Sequence, residues 1–435
     1  NLSYTIVRGE TGLREIEQAV KKHNYDAWVW KLLQKCLVED PNKRSSSEEI
    51  LTNFGLLDDW AEAIYMLEPH VYPEVIEVLQ QCKSKQDKQI KLQKLQQVES
   101  SSNKQQANDD KQQEEEDLEQ LFELNLKCKQ IDDTAVTRGF ARCLSLLTLV
   151  TSVDLTMNRI GDAGLEALCT LAFPHLSCLN KLILKGNDFT GKAAHSYLSQ
   201  AFPHFTKLQY LSLEGNNMQE GIPMGLNKLS SLVALNLARI NLTEEACCAS
   251  GNSNNETGTS NSLSDQLKHL AELRTLGLSR NTRLTANALV HISQSFASLQ
   301  QLQHLILNEV NLHLLDEPLM THFSQAIASL VSLKWLSLAN NKITPLLAQV
   351  LAKYALSGIA KNLQVLTLSE NCIGDQGTIA ICEALLARQD ELEMESIFFD
   401  SNQIGKMGQK VIFFFFDSFL KKKTRFYLTP LSPFQ

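Results

Sequence analysis

The residues of this chain that could perform chemistry are scattered along the sequence. Its ten histidines and ten cysteines show neither the spacing of a metal site nor a serine–histidine–aspartate arrangement for nucleophilic catalysis. His175 and His204 each end a copy of Phe-Pro-His, and we interpret this repetition as a shared turn, not as a pair of metal ligands. We therefore expect no catalytic residue, no metal site and no cofactor.

Length, charge and cysteine usage narrow the class of protein. A chain of 435 residues that is 43% hydrophobic has ample material for a buried core. Its net charge of -8 gives no general attraction to nucleic acid or to an anionic membrane. The cysteine spacing favours reduced core thiols over a disulfide framework. No apolar run approaches the roughly 20 residues of a membrane span, and no signal pattern opens the chain. We expect a cytoplasmic protein.

The elements that would position a binding surface come from a phrase that recurs ten times, apolar-x-x-apolar-x-apolar-x-x-Asn-x-apolar. In one copy, alternation places Leu182 and Leu184 inward on a short strand and Lys181 outward. Helical spacing follows the strand, as at Leu165 and Leu168. A single strand and helix cannot bury their own apolar face, so neighbouring copies must stack into a solenoid. The copies begin at Leu121, Val150, Leu179, Leu208, Leu232, Leu273, Leu302, Leu333, Leu363 and Met394.

These copies closely resemble leucine-rich repeats of the ribonuclease inhibitor and NOD-like receptor type. The match is sharpest at residues 158–168, Asn-Arg-Ile-Gly-Asp-Ala-Gly-Leu-Glu-Ala-Leu, recurs at residues 371–377 and is weaker at residues 402–408. The resemblance implies an α/β horseshoe with parallel strands on the concave face and helices outside. It also implies that protein partners dock on the concave face.

The asparagine of the phrase lies where the chain turns, so its amide can bond the backbone of neighbouring turns. We assign this structural role to Asn158, Asn187, Asn216, Asn341, Asn371 and Asn402. Three copies carry Lys129, Ile240 or Val310 at this position. We expect those three turns to be less well satisfied, which leaves the curvature there open.

Outward positions on and just after the strands are the candidate partner contacts. They include Asp154, Lys181, Lys185, Tyr210, Glu214, His304, Trp335, Phe398 and Asp400. Tyr210 and Trp335 stand out because exposed aromatic residues are enriched among binding hot spots. The alternative is that any solvated strand face carries such a mixture.

Composition divides the chain into four zones. Residues 1–83 are amphipathic and helical, and residues 84–117 form a polar charged linker, with a charged helix as the alternative. The repeats occupy residues 118–410, with a disordered insertion at residues 248–264. Residues 411–435 form a tail that either caps the core, is disordered or contacts a membrane interface.

A second resemblance lies at residues 26–51. An amphipathic helix ends at Asp40-Pro41, Arg44 follows, and a helix capped by Ser46 begins. This resembles the last two helices of the eukaryotic protein kinase C-lobe, in which the arginine matching Arg44 has a buried structural role. The sequence lacks the glycine-rich loop, the strand lysine, His-Arg-Asp and Asp-Phe-Gly of that family. We therefore expect this chain not to transfer phosphate.

Two functional hypotheses follow. The first is non-catalytic recognition of a protein partner on the concave face of the repeats. The second is an amino-terminally truncated fragment of a serine/threonine protein kinase, fused to repeats that direct substrate or scaffold binding.

Overall fold

The computed structural model describes residues 59–99, 122–219, 221–248 and 262–420. Their main feature is a ten-stranded sheet in which the strands follow chain order and every neighbouring pair is parallel. The strands are β1 Glu123–Asn125, β2 Ser152–Asp154, β3 Lys181–Ile183, β4 Tyr210–Ser212, β5 Ala234–Asn236, β6 Thr275–Gly277, β7 His304–Ile306, β8 Trp335–Ser337, β9 Val365–Thr367 and β10 Ser396–Phe398. Each strand begins at the same position of its copy, so equivalent side chains form rows across the sheet.

Helices precede the first strand and follow the strands. The α-helices are α1 Asp59–Leu67, α2 Pro73–Glu99, α3 Asp133–Ala135, α4 Ala141–Ser145, α5 Asp162–Ala167, α6 Gly191–Ala193, α7 Ser199–Ala201, α8 Glu244–Cys247, α9 Leu263–Leu267, α10 Ala286–Ser293, α11 Glu317–Ala328, α12 Pro345–Leu351, α13 Gly374–Leu386 and α14 Lys406–Leu420. Single 3₁₀ turns span Glu68–His70, Phe173–His175, Phe202–His204, Leu226–Lys228, Phe296–Ser298 and Leu312–Leu314, and π turns span Val136–Phe140, Leu168–Ala172, Ala194–Leu198 and Ala352–Leu356.

The core lies between the sheet and the helices. Leu182 and Leu184 are fully buried, whereas Lys181 and Ile183 remain partly exposed, as the alternation predicts. Helices are about 10 Å wide, whereas strands need only about 4.8 Å each, so the array curves with its strands on the inner side. The predicted α/β solenoid is confirmed.

The first repeat is closed by α1 and α2. Ala63 and Leu67 of α1 are fully buried in the same core as the repeats. The packing is close, since a Cβ on Gly139 would lie 2.5 Å from the carbonyl oxygen of Ala63. These two helices therefore form an N-terminal cap on the array.

Residues 84–99 continue α2, so the alternative of a charged helix describes them and the polar linker does not. The buried stripe of α2 reaches Gln86, whose Nε2 donates to the carbonyl of Leu146 (2.7 Å) and whose Oε1 accepts from the amide of Leu149 (3.0 Å). A glutamine serves here as a core residue, so composition alone misplaced the boundary. Residues 100–117 and 26–51, with Arg44, lie outside the described residues.

The sheet is continuous between the copies that begin at Leu232 and Leu273, although the predicted insertion lies between them. Strands β5 and β6 pair through Ala234 and Thr275, in the same register as the other pairs. Ser262 caps α9, and Leu263 is fully buried. The predicted disordered insertion at 248–264 is therefore wrong at residues 262–264, and residues 249–261 lie outside the described part.

At the other end, α14 crosses the expected boundary at residue 410. Phe415 is fully buried, and Val411, Ile412 and Phe416 pack against the core. The array thus extends to at least residue 418, and residues 421–435 are not described. None of the helices in the described ranges combines the length and apolar character needed to cross a bilayer.

Candidate functional site

Buried asparagines fix the turns that carry the strand face. The Oδ1 of Asn371 accepts from the amides of Asn341 (2.9 Å) and Ile343 (3.0 Å), and its Nδ2 donates to the carbonyls of Leu338 (3.0 Å) and Leu368 (2.8 Å). One side chain therefore joins its own repeat to the preceding one. The structure places the other predicted asparagines at the same position, Asn158, Asn187, Asn216, Asn341 and Asn402.

Asn281 performs the same role, although the sequence interpretation omitted it. The signal was present, because the copy that begins at Leu273 reaches Asn281 in phase. Its Oδ1 accepts from the amides of Ile240 (3.1 Å) and Leu242 (3.2 Å).

The expectation that the turns at Lys129, Ile240 and Val310 have fewer satisfied hydrogen-bonding groups is therefore wrong. Their amides donate to Asn158 (3.1 Å), Asn281 (3.1 Å) and Asn341 (2.8 Å), respectively. The physical reason is that each asparagine accepts from the repeat before it. A missing asparagine consequently removes an acceptor from the preceding turn, not from its own.

The first cluster on the open strand face joins β3, β4 and β5. Lys181 lies over the ring of Tyr210, with Nζ 5.7 Å from the ring centroid. Lys185 pairs with Glu214 at 2.8 Å, and Glu214 accepts from Asn236 Nδ2 at 2.9 Å. Burial, together with the Glu214 carboxylate, raises the pKa of Tyr210, so its hydroxyl is protonated at neutral pH. Four of the predicted contact residues thus meet in one network, the β3–β5 cluster.

A second cluster spans β6 to β8. His304 and Trp335 pack edge to face with ring centroids 6.3 Å apart, and His304 Nδ1 lies 3.1 Å from the hydroxyl of Thr275. Burial and then Lys334 lower the pKa of His304, so its ring is neutral at pH 7. Trp335 keeps 43% of its surface exposed. We call these residues the β6–β8 cluster.

The two clusters meet at β5 and β6, where the outward positions carry the small residues Ala234 and Gly277. We call this low strip of the strand face the trough. A Cβ on Gly277 would lie 3.1 Å from Asn236 Oδ1, so the glycine keeps the floor low. The nearest aromatic rings of the two clusters are Tyr210 on β4 and His304 on β7, which are three strand spacings apart, about 14 Å along the sheet.

Phe398 and Asp400 lie apart from both clusters. Phe398 is on β10, and Asp400 just after it accepts from the hydroxyl of Ser369 at 3.3 Å. Asp154 on β2 borders the β3–β5 cluster, and its carboxylate adds to the rise in the pKa of Tyr210. The structure therefore does not assemble the predicted contacts into one site.

A polar pocket of about 470 Å³ lies where the chain leaves β4 to β7, and sequence reasoning missed it. Arg239, Arg280 and Glu309 line it, and Arg280 Nε donates to Glu309 at 3.0 Å. The two arginines have left-handed φ angles of 53° and 60° in the turns after the strands. Strand alternation predicts nothing about such positions, which explains the omission.

Groups suited to metal or thiol chemistry are not assembled in the described ranges. No cluster of three or more His, Cys, Asp or Glu side chains there could hold a metal ion. The nine cysteines in those ranges are free thiols. Burial raises the pKa of Cys143 and Cys382 to about 12, which keeps both protonated and unreactive.

Comparison with known proteins identifies the repeats. A family model described as Leucine Rich repeat matches residues 147–169, which contain β2 and α5, and residues 360–382, which contain β9 and the first part of α13. The chain is also similar to an internalin from Listeria monocytogenes, with 18% identity over 72% of this chain and 82% of that one and a TM-score of 0.35. No curated protein with which the sequence was compared gave a match. The array of this chain is built from leucine-rich repeats.

Proposed function

We propose that this chain is a non-catalytic recognition module that binds a protein partner on the concave strand face. The observation that carries the proposal is the pair of aromatic-centred clusters on either side of a trough with a low floor. Repeat arrays commonly use such extended concave surfaces for binding. Aromatic side chains there provide large contact areas at a small cost in conformational entropy.

The dimensions of the trough suit a folded segment of a partner. An α-helix with its side chains is about 10–12 Å across, and the strands of Tyr210 and His304 are about 14 Å apart, so a helix would fit closely between the two rings. The small side chains of Ala234 and Gly277 allow the partner backbone to approach the sheet. Lys185 and Glu214 are already paired and partly exposed, so they contribute orientation more than affinity.

The test is affinity capture by the full chain, comparing the wild type with the double variant Tyr210→Ala, Trp335→Ala. Tyr72→Ala is the matched control, because Tyr72 is an aromatic of similar exposure (48%) that lies outside the strands. We expect the double variant to lose its main captured protein and the control to retain it. Equal capture by the double variant and the wild type, with unchanged circular dichroism, would rule out binding through the two clusters.

The type of leucine-rich repeat and the cellular location of the protein are part of the same proposal. Residues 158–168 support repeats of the ribonuclease inhibitor and NOD-like receptor type, and the composition supports residence in the cytoplasm. Cell fractionation of the full-length protein tests the location. Recovery in a secreted fraction would contradict it.

A second candidate function rests on the sequence of residues 26–51. In that case the chain is a piece of a serine/threonine protein kinase whose repeats direct substrate or scaffold binding. The test is the transcript upstream of Asn1. A start codon with no kinase motif before Asn1 would exclude this candidate.

A further inference from the structure

We propose that the exposed face of α14 binds the surface of an anionic lipid membrane. Two neighbouring aromatic side chains on this helix point away from the protein, Phe413 with 71% and Phe414 with 65% of its surface exposed. Their rings lie 6.3 Å apart. Met407, two turns earlier, is 59% exposed. Such apolar exposure on one short helix is unusual for a protein surface and indicates a binding function.

The opposite face of α14 explains why these side chains are not needed for folding. Phe415 is fully buried, and Val411, Ile412 and Phe416 pack against the repeat core. The helix is therefore held by its inner face alone. Phe413 and Phe414 are presented outward from a fixed support, as an interfacial helix requires.

Charge identifies the partner. Lys410 and Lys406 are exposed and lie one and two turns before Phe413 and Phe414 on the same helical face, and the exposed Asp417 lies one turn after them. The sequence then continues as Lys-Lys-Lys-Thr-Arg at residues 421–425. This local excess of positive charge contrasts with the net charge of -8 of the whole chain. Lysines beside exposed aromatic residues are typical of segments that bind anionic lipid headgroups.

A second copy of the chain fits this face less well. Residues 406–425 hold six Lys and Arg side chains and one acidic side chain, Asp417. Two copies that met at this segment would bring an excess of positive charge together, which is electrostatically unfavourable, whereas anionic headgroups would neutralise it. Phe413 and Phe414 can instead enter a headgroup layer without any partner surface.

Sedimentation with vesicles tests the proposal on the full chain. The vesicles contain phosphatidylcholine alone or with about one third phosphatidylserine, to supply the anionic surface. We expect the wild type to sediment with the anionic vesicles and to be released by salt. The double variant Phe413→Ser, Phe414→Ser should bind at least tenfold more weakly. Lys406→Gln, Lys410→Gln should weaken the preference for phosphatidylserine, and the residual preference should come from the basic residues at 421–425.

The matched control is Leu171→Ser, Val331→Ser, because these apolar side chains are 51% and 57% exposed elsewhere on the molecule. It should bind like the wild type. Absence of wild-type sedimentation, or equal sedimentation of the phenylalanine variant, would overturn the proposal. Equal binding to both vesicle types would overturn the role of the lysines. A dimer in light scattering that the phenylalanine variant abolishes, without vesicle binding, would assign the face to a second copy instead.

Discussion

Replacing Asn281 with alanine should destabilise the middle of the array more than any exposed asparagine replacement. The side chain is fully buried and makes four hydrogen bonds to backbone groups. Its Oδ1 accepts from the amides of Ile240 and Leu242, and its Nδ2 donates to the carbonyls of Leu237 (2.8 Å) and Leu278 (2.7 Å). Alanine can replace none of these bonds.

The magnitude follows from the groups left behind. A buried backbone donor or acceptor without a partner costs about 1–3 kcal/mol, and four such groups remain. Water entering the space left by the amide recovers part of this, so we expect a loss of about 4 kcal/mol in the free energy of unfolding. Asn287→Ala is the control, because Asn287 is exposed and bonds only Glu244. Its effect should stay within about 0.5 kcal/mol.

Two measurements check this prediction. Urea unfolding followed by circular dichroism gives the change in stability, and hydrogen exchange of peptides covering residues 237–242 locates it. We expect the amides of Ile240 and Leu242 to lose protection in Asn281→Ala but not in Asn287→Ala. If the two variants unfold at the same urea concentration and exchange alike, Asn281 does not join the two repeats as argued.

Three further predictions concern other parts of the molecule. Gln86→Leu should lower the free energy of unfolding in urea by about 2 kcal/mol, because it removes two buried hydrogen bonds between the cap and the first repeat. Gln81→Leu on the exposed face of the same helix should lower it by less than about 0.5 kcal/mol. Equal effects of the two variants would contradict the role of the cap. After alkylation at pH 8, peptide mass spectrometry should find Cys128 modified in the native protein, because it is exposed. Cys143 is buried and its pKa is raised to about 12, so it should be modified only after unfolding. Modification of Cys143 in the native protein would refute this. Burial lowers the pKa of His304 below its usual 6.5, so the unfolded chain binds a proton at a higher pH than the folded chain does. The free energy of unfolding should therefore fall as the pH decreases below 6.5, and His304→Gln should lose this share of the pH dependence in urea titrations. An unchanged pH dependence in the variant would count against a lowered pKa.

The sheet could be predicted from the sequence because its signal is local and repeated. Alternation within each copy identifies the buried leucines, such as Leu182 and Leu184, and every strand begins at the same position of its copy. The position of Trp335 on the open face follows from the same alternation. The contacts within the two clusters could be predicted less directly, because each contact joins side chains from neighbouring copies and depends on how those copies pack.

The N-terminal cap could not be predicted in this way. Its burial depends on Gln86, a polar residue whose partners lie about 60 positions later in the chain. A polar side chain in a polar segment gives no local sign of burial. Similarly, Arg239 and Arg280 reach their pocket from left-handed turns, which have no counterpart in the alternation of strands.

The asparagines show why a repeat array cannot be interpreted one copy at a time. Ile240 and Val310 interrupt the series on either side of Asn281, and each has its amide satisfied by the copy that follows. The turn before Ile240 loses its asparagine acceptor, and there the amide of Met218 bonds the backbone carbonyl of Ile240 at 2.8 Å instead. Stability in such an array is a property of adjacent pairs. Two isolated gaps are therefore tolerated, and the sheet stays in register below the trough, whereas loss of Asn281 between them would leave three consecutive copies without the bond.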